Sequence, residues 1–393
     1  MPTWVEAQQF DITVSAGNFD RRGSVVSFPL PYAVEPGTYT MVNSNDKSVT
    51  LQVDLNNTCW FILDKLPAGT GITYRLDTAS KAGDPGTRGV TYTFERNTIA
   101  FHTGNSTVLS YFHGNNQPPS TLDEVYTNGG YIHPAYSPGG VPLTNHLDTA
   151  MHPHHYGIWA AWTNTEFQGR TPDFWNVQSH TGRIDHPDTL EAAWEGPVHG
   201  GLIARNHYVD LTGSAPVIAL NEQWELRVFA SDSNPGIHMF ELVVTQTANT
   251  AQPLVLPEYH YGGMAFRGHA NWDHLERVWF LTSEGNDRSN GNETRARWAH
   301  MGGRVDGETA GIAVLSHPSN VRAPQPVRIH PEIPYFVFAP VQLGEMRIEP
   351  GSPHVMRYRY ITHDGKPDSE LLDRLWNDFA YPPAVTVKRL GNP

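Results

Sequence analysis

The chain has 393 residues, 39% of them hydrophobic and 11% aromatic, which is enough for a sizeable core and for two domains. A net charge of −13 without any basic run excludes a phosphate backbone as partner, so no nucleic acid is expected. The single cysteine, Cys59, excludes an intrachain disulfide and any cysteine-rich zinc site.

The N-terminal residues lack a basic stretch followed by an apolar one, so no signal peptide is expected in the chain as given. No apolar run is long enough to span a membrane. The chain therefore reads as soluble, cytoplasmic as given or periplasmic if a leader has been removed. With 35 Gly and 31 Pro, it favours many short strands over long helices. Residues 24–30, 39–42, 49–53, 60–63 and 73–76 are short β-like runs separated by Gly, Pro, Asn and Asp. They predict a small β-sandwich domain over residues 1–80, with its boundary near 81–89.

From residue 90 to 393 the strand punctuation continues, through 90–94, 222–229, 238–244, 312–315, 335–338 and 355–361. In 222–229, Trp224, Leu226 and Val228 share one face and Glu225 and Arg227 the other. His238 falls on the face of Phe240, Leu242 and Val244, so it reads as a packed core histidine. This density predicts a mainly β fold with a large antiparallel β-sandwich or related two-sheet arrangement. One helix interrupts it. After Pro367 and a capping Asp368, Leu371, Leu372, Leu375, Trp376 and Phe379 form an apolar face, and Pro382–Pro383 end it.

Residues 128–175 concentrate the chemistry: His133, His146, His152, His154 and His155 lie among Tyr and Trp, with Asp148 and Asp173 close by. Histidine titrates nearest neutrality, so such a cluster suits proton transfer or metal binding. In an extended segment His152 and His154 point the same way and His155 points elsewhere. They read as an acid–base pair, as ligands of a divalent metal, or as turn residues bonding backbone carbonyls. No cofactor other than such a metal is implied.

Glu258, Tyr259 and His260 precede Gly262–Gly263, with Arg267 after them. This pattern suits a cleft wall in which Glu258 and His260 act on substrate, Tyr259 lines it and Arg267 grips a carboxylate or hydroxyl pair. Glu258 is expected to face the pocket of His152 or His154; the plain alternative is a structural Glu258–Arg267 ion pair. His199 is flanked by glycines, and His317, Asn320 and Arg322 fall on a loop leaving a strand; all four are candidate substrate contacts. Trp159 and Trp175 are candidate stacking platforms, although burial is the commoner fate of a tryptophan. There is no dinucleotide fingerprint, P-loop or nucleophile elbow.

The segments GGYIHPAYSP, HPHHYGIWAAW, DFW, EYHYGGMAFRG (258–268), RARWAHMGGRVDGETAGIAVLSHPSNVRAP (295–324) and PYFVFAP (334–340) resemble the bacterial family labelled PmoA-like, or methane oxygenase PmoA, of unknown function. AGNFDRRGSVVSFPLP (16–31) looks like that family's N-terminal module. The methane monooxygenase subunit of that name is a multi-pass membrane protein, so the label does not transfer literally. The resemblance implies a bacterial protein of sugar catabolism, and the second domain resembles the galactose-mutarotase-type supersandwich, whose cleft uses His and Glu on a sugar. The resulting expectation is a carbohydrate-active enzyme using His/Glu acid–base chemistry on a small sugar or oligosaccharide, by epimerisation, elimination or glycosidic cleavage. A metal-dependent enzyme and a non-catalytic sugar-binding protein are the alternatives.

Overall fold

The computed structural model describes residues 8–82, 89–150, 152–231, 234 and 236–391. Most of the expected boundary at 81–89 lies outside them. In the strand Gln9–Ser15, Phe10, Ile12 and Val14 are buried while Gln9 and Thr13 are exposed, the alternation of a half-buried strand. It is joined by Arg21–Pro29, Gly37–Asn43, Ser48–Val53, Thr58–Leu66 and Gly71–Lys81 in one seven-stranded antiparallel sheet. The inward residues form a single cluster that includes Phe10, Tyr39, Met41, Leu51, Phe61 and Leu76, so the sheet folds over its own core.

The seventh strand is Ala384–Arg389, from the other end of the chain, which pairs with Gln9–Ser15 in the register Ile12↔Val387. The N-terminal unit is therefore not built from residues 1–80 alone, and the large domain does not extend to 393. An unpaired Gln9–Ser15 would leave a row of backbone donors and acceptors open, and the returning tail satisfies them.

The large unit consists of two nine-stranded antiparallel sheets packed face to face. The front sheet runs, in spatial order, Thr294–Arg295, Pro326–Ile329, Tyr335–Phe338, Gly263–Arg267, Ile158–Ala161, Tyr131–Ala135, Ser106–Phe112, Thr98–Thr103 and Val90–Glu95. The back sheet runs Gly182–Asp185, His199–Asp210, Val217–Phe229, Ile237–Ala248, His354–Asp364, Glu308–Ser316, Trp298–Val305 and Val278–Thr282, with Ala192–Trp194 beside His199–Asp210. Between them lie Ile158, Trp162, Phe266 and Phe338 from the front and Trp224, Leu242, Tyr358 and Tyr360 from the back. The fold is mainly β with a large antiparallel sandwich, as the strand periodicity predicts. His238 is buried, as expected from its side of the strand.

The expected helix is Ser369–Ala380, with the Asp368 side chain accepting from the Leu371 N–H. It lays Leu372, Leu375 and Trp376 on the outer face of the back sheet, against Trp298, Leu315 and Ile361. Val25 and Trp60 of the N-terminal unit join the same cluster, so helix and unit together cover that face. Asp378, buried in the last turn, accepts from Arg21 at 2.9 Å and from Ser24 at 2.7 Å. Among the described residues no helix is long and apolar enough to cross a membrane.

Asp378→Ala would strand the buried Arg21 guanidinium. Chemical denaturation should show a loss of about 3–5 kcal/mol, the cost of breaking one side of a buried pair; a loss below about 1 kcal/mol would mean the contact is not a structural tie.

Candidate functional site

The back sheet's outer face is covered, whereas the front sheet's outer face carries the histidines. Strand alternation decides this. In Ile158–Ala161 and the residue after it, Ile158, Ala160 and Trp162 point into the core, so Trp159 and Ala161 point outward. In Gly263–Arg267, Met264 and Phe266 point inward, which turns Ala265 and Arg267 outward. Across the ladder Arg267 pairs with Tyr335, and Trp159 with Ala265. Trp159, Trp175, Tyr131, Tyr156 and Tyr335 form one buried cluster there, with Tyr261 packed against it.

Arg267 is fully buried. Its NH2 donates to Asp148 Oδ2 and to Asp273 Oδ1, both at 2.8 Å. The expected substrate clamp is thus already committed to two carboxylates, and its partners are Asp148 and Asp273 rather than Glu258. Its Nε and NH1 have no partner among the described residues. Asp148 begins the turn that carries the histidines, and that turn is closed by the Leu147 N–H donating to the His155 carbonyl at 3.1 Å.

Residues 152–155 do not form the extended segment expected of them. The His155 N–H donates to the His152 carbonyl at 3.1 Å, closing a turn over Pro153–His154. Residues i and i+3 therefore meet: the His152 and His155 rings stack with centroids 4.9 Å apart. His154 sits edge-on to both, at 5.6 Å from His152 and 4.7 Å from His155. His155, expected to point elsewhere, is the innermost of the three, stacked on Tyr335 at 5.0 Å and beside Trp159 at 5.1 Å.

A fourth imidazole, which sequence reasoning missed, comes from His330, 6.0 Å from the His152 ring. Its Nδ1 accepts the N–H groups of Glu332 and Ile333, at 3.1 and 3.2 Å, which leaves the proton of the neutral ring on Nε2. A signal existed: in 326–330 the strand alternation puts Arg328 and His330 on the same outward face. Asp273, Tyr261 and Tyr335 were also missed. His133 and His146 form a neighbouring pair, stacked at 3.9 Å, with His133 bonded to Thr144 at 2.8 Å and His146 to Tyr131 at 3.0 Å.

Burial sets the charge of the cluster. Desolvation pulls His154 and His330 down to about 4, with smaller contributions from the adjacent His152 for both and from Arg328, Arg288 and Arg267 for His330. It also lowers His152 and holds His155 and His133 well below the usual histidine range. All are neutral at pH 7. His152 Nδ1, His155 Nδ1 and the Tyr335 hydroxyl have no partner among the described residues. Unpaired buried polar atoms are costly, and five of them (Nε and NH1 of Arg267, Nδ1 of His152 and of His155, and the Tyr335 hydroxyl) lie on this face. Among the described residues no three His, Cys, Asp or Glu side chains are placed to hold a metal ion.

The remaining candidates are dispersed. Asp173 accepts from Thr163, from the N–H groups of Trp175 and Asn176 and from the Asn176 amide, so it organises the turn that presents Trp175. Trp159 and Trp175 are buried against each other at 5.0 Å and form a wall rather than open platforms. Glu258 is exposed, in the bend between Leu254–Leu256 and Gly263–Arg267, and makes no side-chain hydrogen bond or ion pair among the described residues. Tyr261 of the same bend turns inward, onto Trp175 at 5.1 Å. The Tyr259 and His260 rings lie tilted against each other at 4.3 Å and edge-on to Tyr261, and His260 is exposed.

His199 lies on the back sheet, beside Trp60, on the opposite side of the sandwich. His317 packs on Phe379 at the helix, far from the front face by topology. Asn320 is buried and bonds the Arg357 backbone, and Arg322 clamps the carbonyls of Pro340, Gly344 and Glu345. Asn320 and Arg322 thus satisfy backbone groups of the loop and of its neighbours.

A cavity of about 20 Å³ beside His154 is lined by Tyr156, Trp159 and Trp175. Its far wall, Thr127, Val177, Arg183 and Ile184, also borders an open groove of about 760 Å³.

The chain belongs to the family of unknown function DUF6807, whose profile matches residues 98–377, more than half of its length. No curated protein matches it. The match covers most of both sheets and every histidine of the cluster.

Because the folded imidazoles titrate near 4 and free ones near 6.5, their neutrality stabilises the fold fully above 6.5. That stability is lost as pH falls through 6.5 toward 4. The melting temperature should drop by several degrees between about pH 7.5 and about pH 4.5, and less steeply in His154→Gln; a flat profile in both proteins would contradict the buried neutral cluster.

Proposed function

We propose that the outer face of the front sheet is the active site of a carbohydrate-active enzyme that moves protons with neutral imidazoles. The observation that carries this reading is the gathering of His152, His154, His155 and His330 around a buried Arg267 whose Nε and NH1 are unpartnered among the described residues. His330, its Nδ1 held by two backbone N–H groups, offers Nε2–H as a fixed donor to a substrate carbonyl or hydroxyl oxygen. His152 accepts the proton. Its depressed basicity rises as negative charge develops on the substrate beside it, since an opposite charge favours imidazolium.

Asp148 and Asp273 are tied to Arg267 and Asp173 to its turn, while Glu258 is exposed. Glycosidic cleavage ordinarily uses two carboxylates flanking the bond. The geometry therefore favours proton transfer at a sugar carbon, as in epimerisation or elimination. The same proposal includes kinship with PmoA-like proteins and with mutarotase-type supersandwiches, supported by two stacked antiparallel sheets bearing histidines on an outer face. The commitment of Asp148, Asp173 and Asp273 to structural partners favours a second reading, a sugar-binding protein without turnover.

A screen of sugars and oxidised glycosides, with products read by mass spectrometry, supplies the substrate. On it, His152→Ala and His330→Ala should each lower turnover by about a hundredfold, the usual scale of lost acid–base help, with melting temperature little changed for the half-buried His152. Turnover unchanged per folded molecule would remove them from the mechanism, and binding without turnover in the wild type would select the second reading.

A further inference from the structure

A second concave surface lies on the opposite side of the sandwich, at the seam between the N-terminal unit and the back sheet. It is a groove of about 630 Å³ with mostly apolar walls. The N-terminal unit contributes Thr38 and the turn around Leu55, and the back sheet contributes Trp194, His199, Glu225 and Arg227. Leu55 stands 88% exposed at its rim.

Glycine makes room for the indole of Trp194. A Cβ on Gly201 would come within 2.5 Å of its six-membered ring, so any other residue there would displace it. Gly200 and Gly196 are equally confined, by Val90 and by Gln52 of the N-terminal unit. The half-buried indole donates through Nε1–H to His199 Nδ1 at 3.0 Å. The neutral His199 ring therefore carries its proton on Nε2, and burial with the nearby Arg227 charge holds it neutral, at about 3. That Nε2 has no hydrogen-bond partner among the described residues, although His199 is 1% exposed.

Arg227 stands over the Trp60 ring at 4.8 Å and donates to Glu225 through NH2, and its Nε is likewise unpartnered among the described residues. Register places both donors on one face, since His199 pairs with Phe229 and Gly201 with Arg227. An indole against a glycine floor, two buried N–H donors and carboxylates at the rim (Glu195, Glu225 and Asp54) form a constellation that the front-sheet site does not use.

We propose that this seam is a second ligand site, which binds a neutral carbohydrate ring. The ring's apolar face stacks on Trp194, its oxygens accept from Arg227 and His199, and its hydroxyls donate to the rim carboxylates. An anionic ligand is disfavoured because three carboxylates, against one guanidinium, line the groove. Because both units contribute walls, occupancy also strengthens their docking. The site is independent of the histidine cluster and stands whether or not that cluster is catalytic.

Saturation-transfer NMR and calorimetry on the full chain, with neutral xylo-, malto- and cello-oligosaccharides as probes, test it. At least one probe should bind the wild type and His152→Ala alike and raise their melting temperatures. Trp194→Ala should weaken that binding roughly tenfold, and Trp194→Phe less. Leu55→Asp, on a fully exposed turn, should weaken it as well and keeps the test decisive if Trp194→Ala fails to fold. Failure of every probe to bind the wild type, or binding that both Trp194→Ala and Leu55→Asp leave intact, overturns the proposal. Loss of binding in His152→Ala would place the sugar at the front sheet instead.

Discussion

The candidate site depends on one buried guanidinium. Arg267 leaves the front sheet on its outer face, where a lone charge would be prohibitively desolvated, and two carboxylates from different loops close on it. Asp148 brings the loop that continues into His152–His155, and Asp273 brings the short helical turn Ala270–Asp273. The backbone reinforces the arrangement: the Arg267 N–H donates to the Gly157 carbonyl at 2.7 Å, and its own carbonyl accepts from Asn145 at 3.1 Å. Both ends of the histidine loop are thus bonded to one residue of the sheet. The ion pairs hold the loop where its imidazoles must stack.

Stacking against Trp159 and Tyr335 then fixes the electrical character of the cluster. Each ring that is pushed out of water becomes harder to protonate, and each neighbouring imidazole or arginine adds to the penalty. The result is a set of uncharged nitrogen donors and acceptors beside an arginine already paired with two carboxylates. A cluster with the same residues in open water would titrate within the physiological range and would have no fixed donor pattern. The seam groove uses the same device, with Trp60 and Trp194 in place of Trp159 and Tyr335 around His199.

The fold was legible where one face of an element meets the core. The alternation in 222–229 and 238–244 and the apolar stripe of 371–379 each encode a buried face directly, and each element lies where that face requires. The tail strand Ala384–Arg389 was not legible, because its partner is chosen by an open strand edge almost the whole chain away. In the 133–155 segment the clustering of histidines was legible, but the side-chain directions did not follow. Alternation holds only for extended backbone, and the His152–His155 hydrogen bond replaces it with a turn. His330 and Tyr335 reach the cluster through sheet pairing, a long-range fact that local spacing does not carry. Polar residues next to glycines, as at His199 and Glu258, marked confined backbone without saying which face of the molecule it lay on.

The central claim is that the histidines on the front sheet are a buried, uncharged set. It is tested most directly by the imidazole nitrogen NMR spectrum of the uniformly labelled protein at about pH 6, assigned with single His→Gln variants. The account requires His154, His155 and His330 to show the signature of neutral rings there, with His330 protonated on Nε2. Imidazolium signals from these three residues at that pH would contradict it.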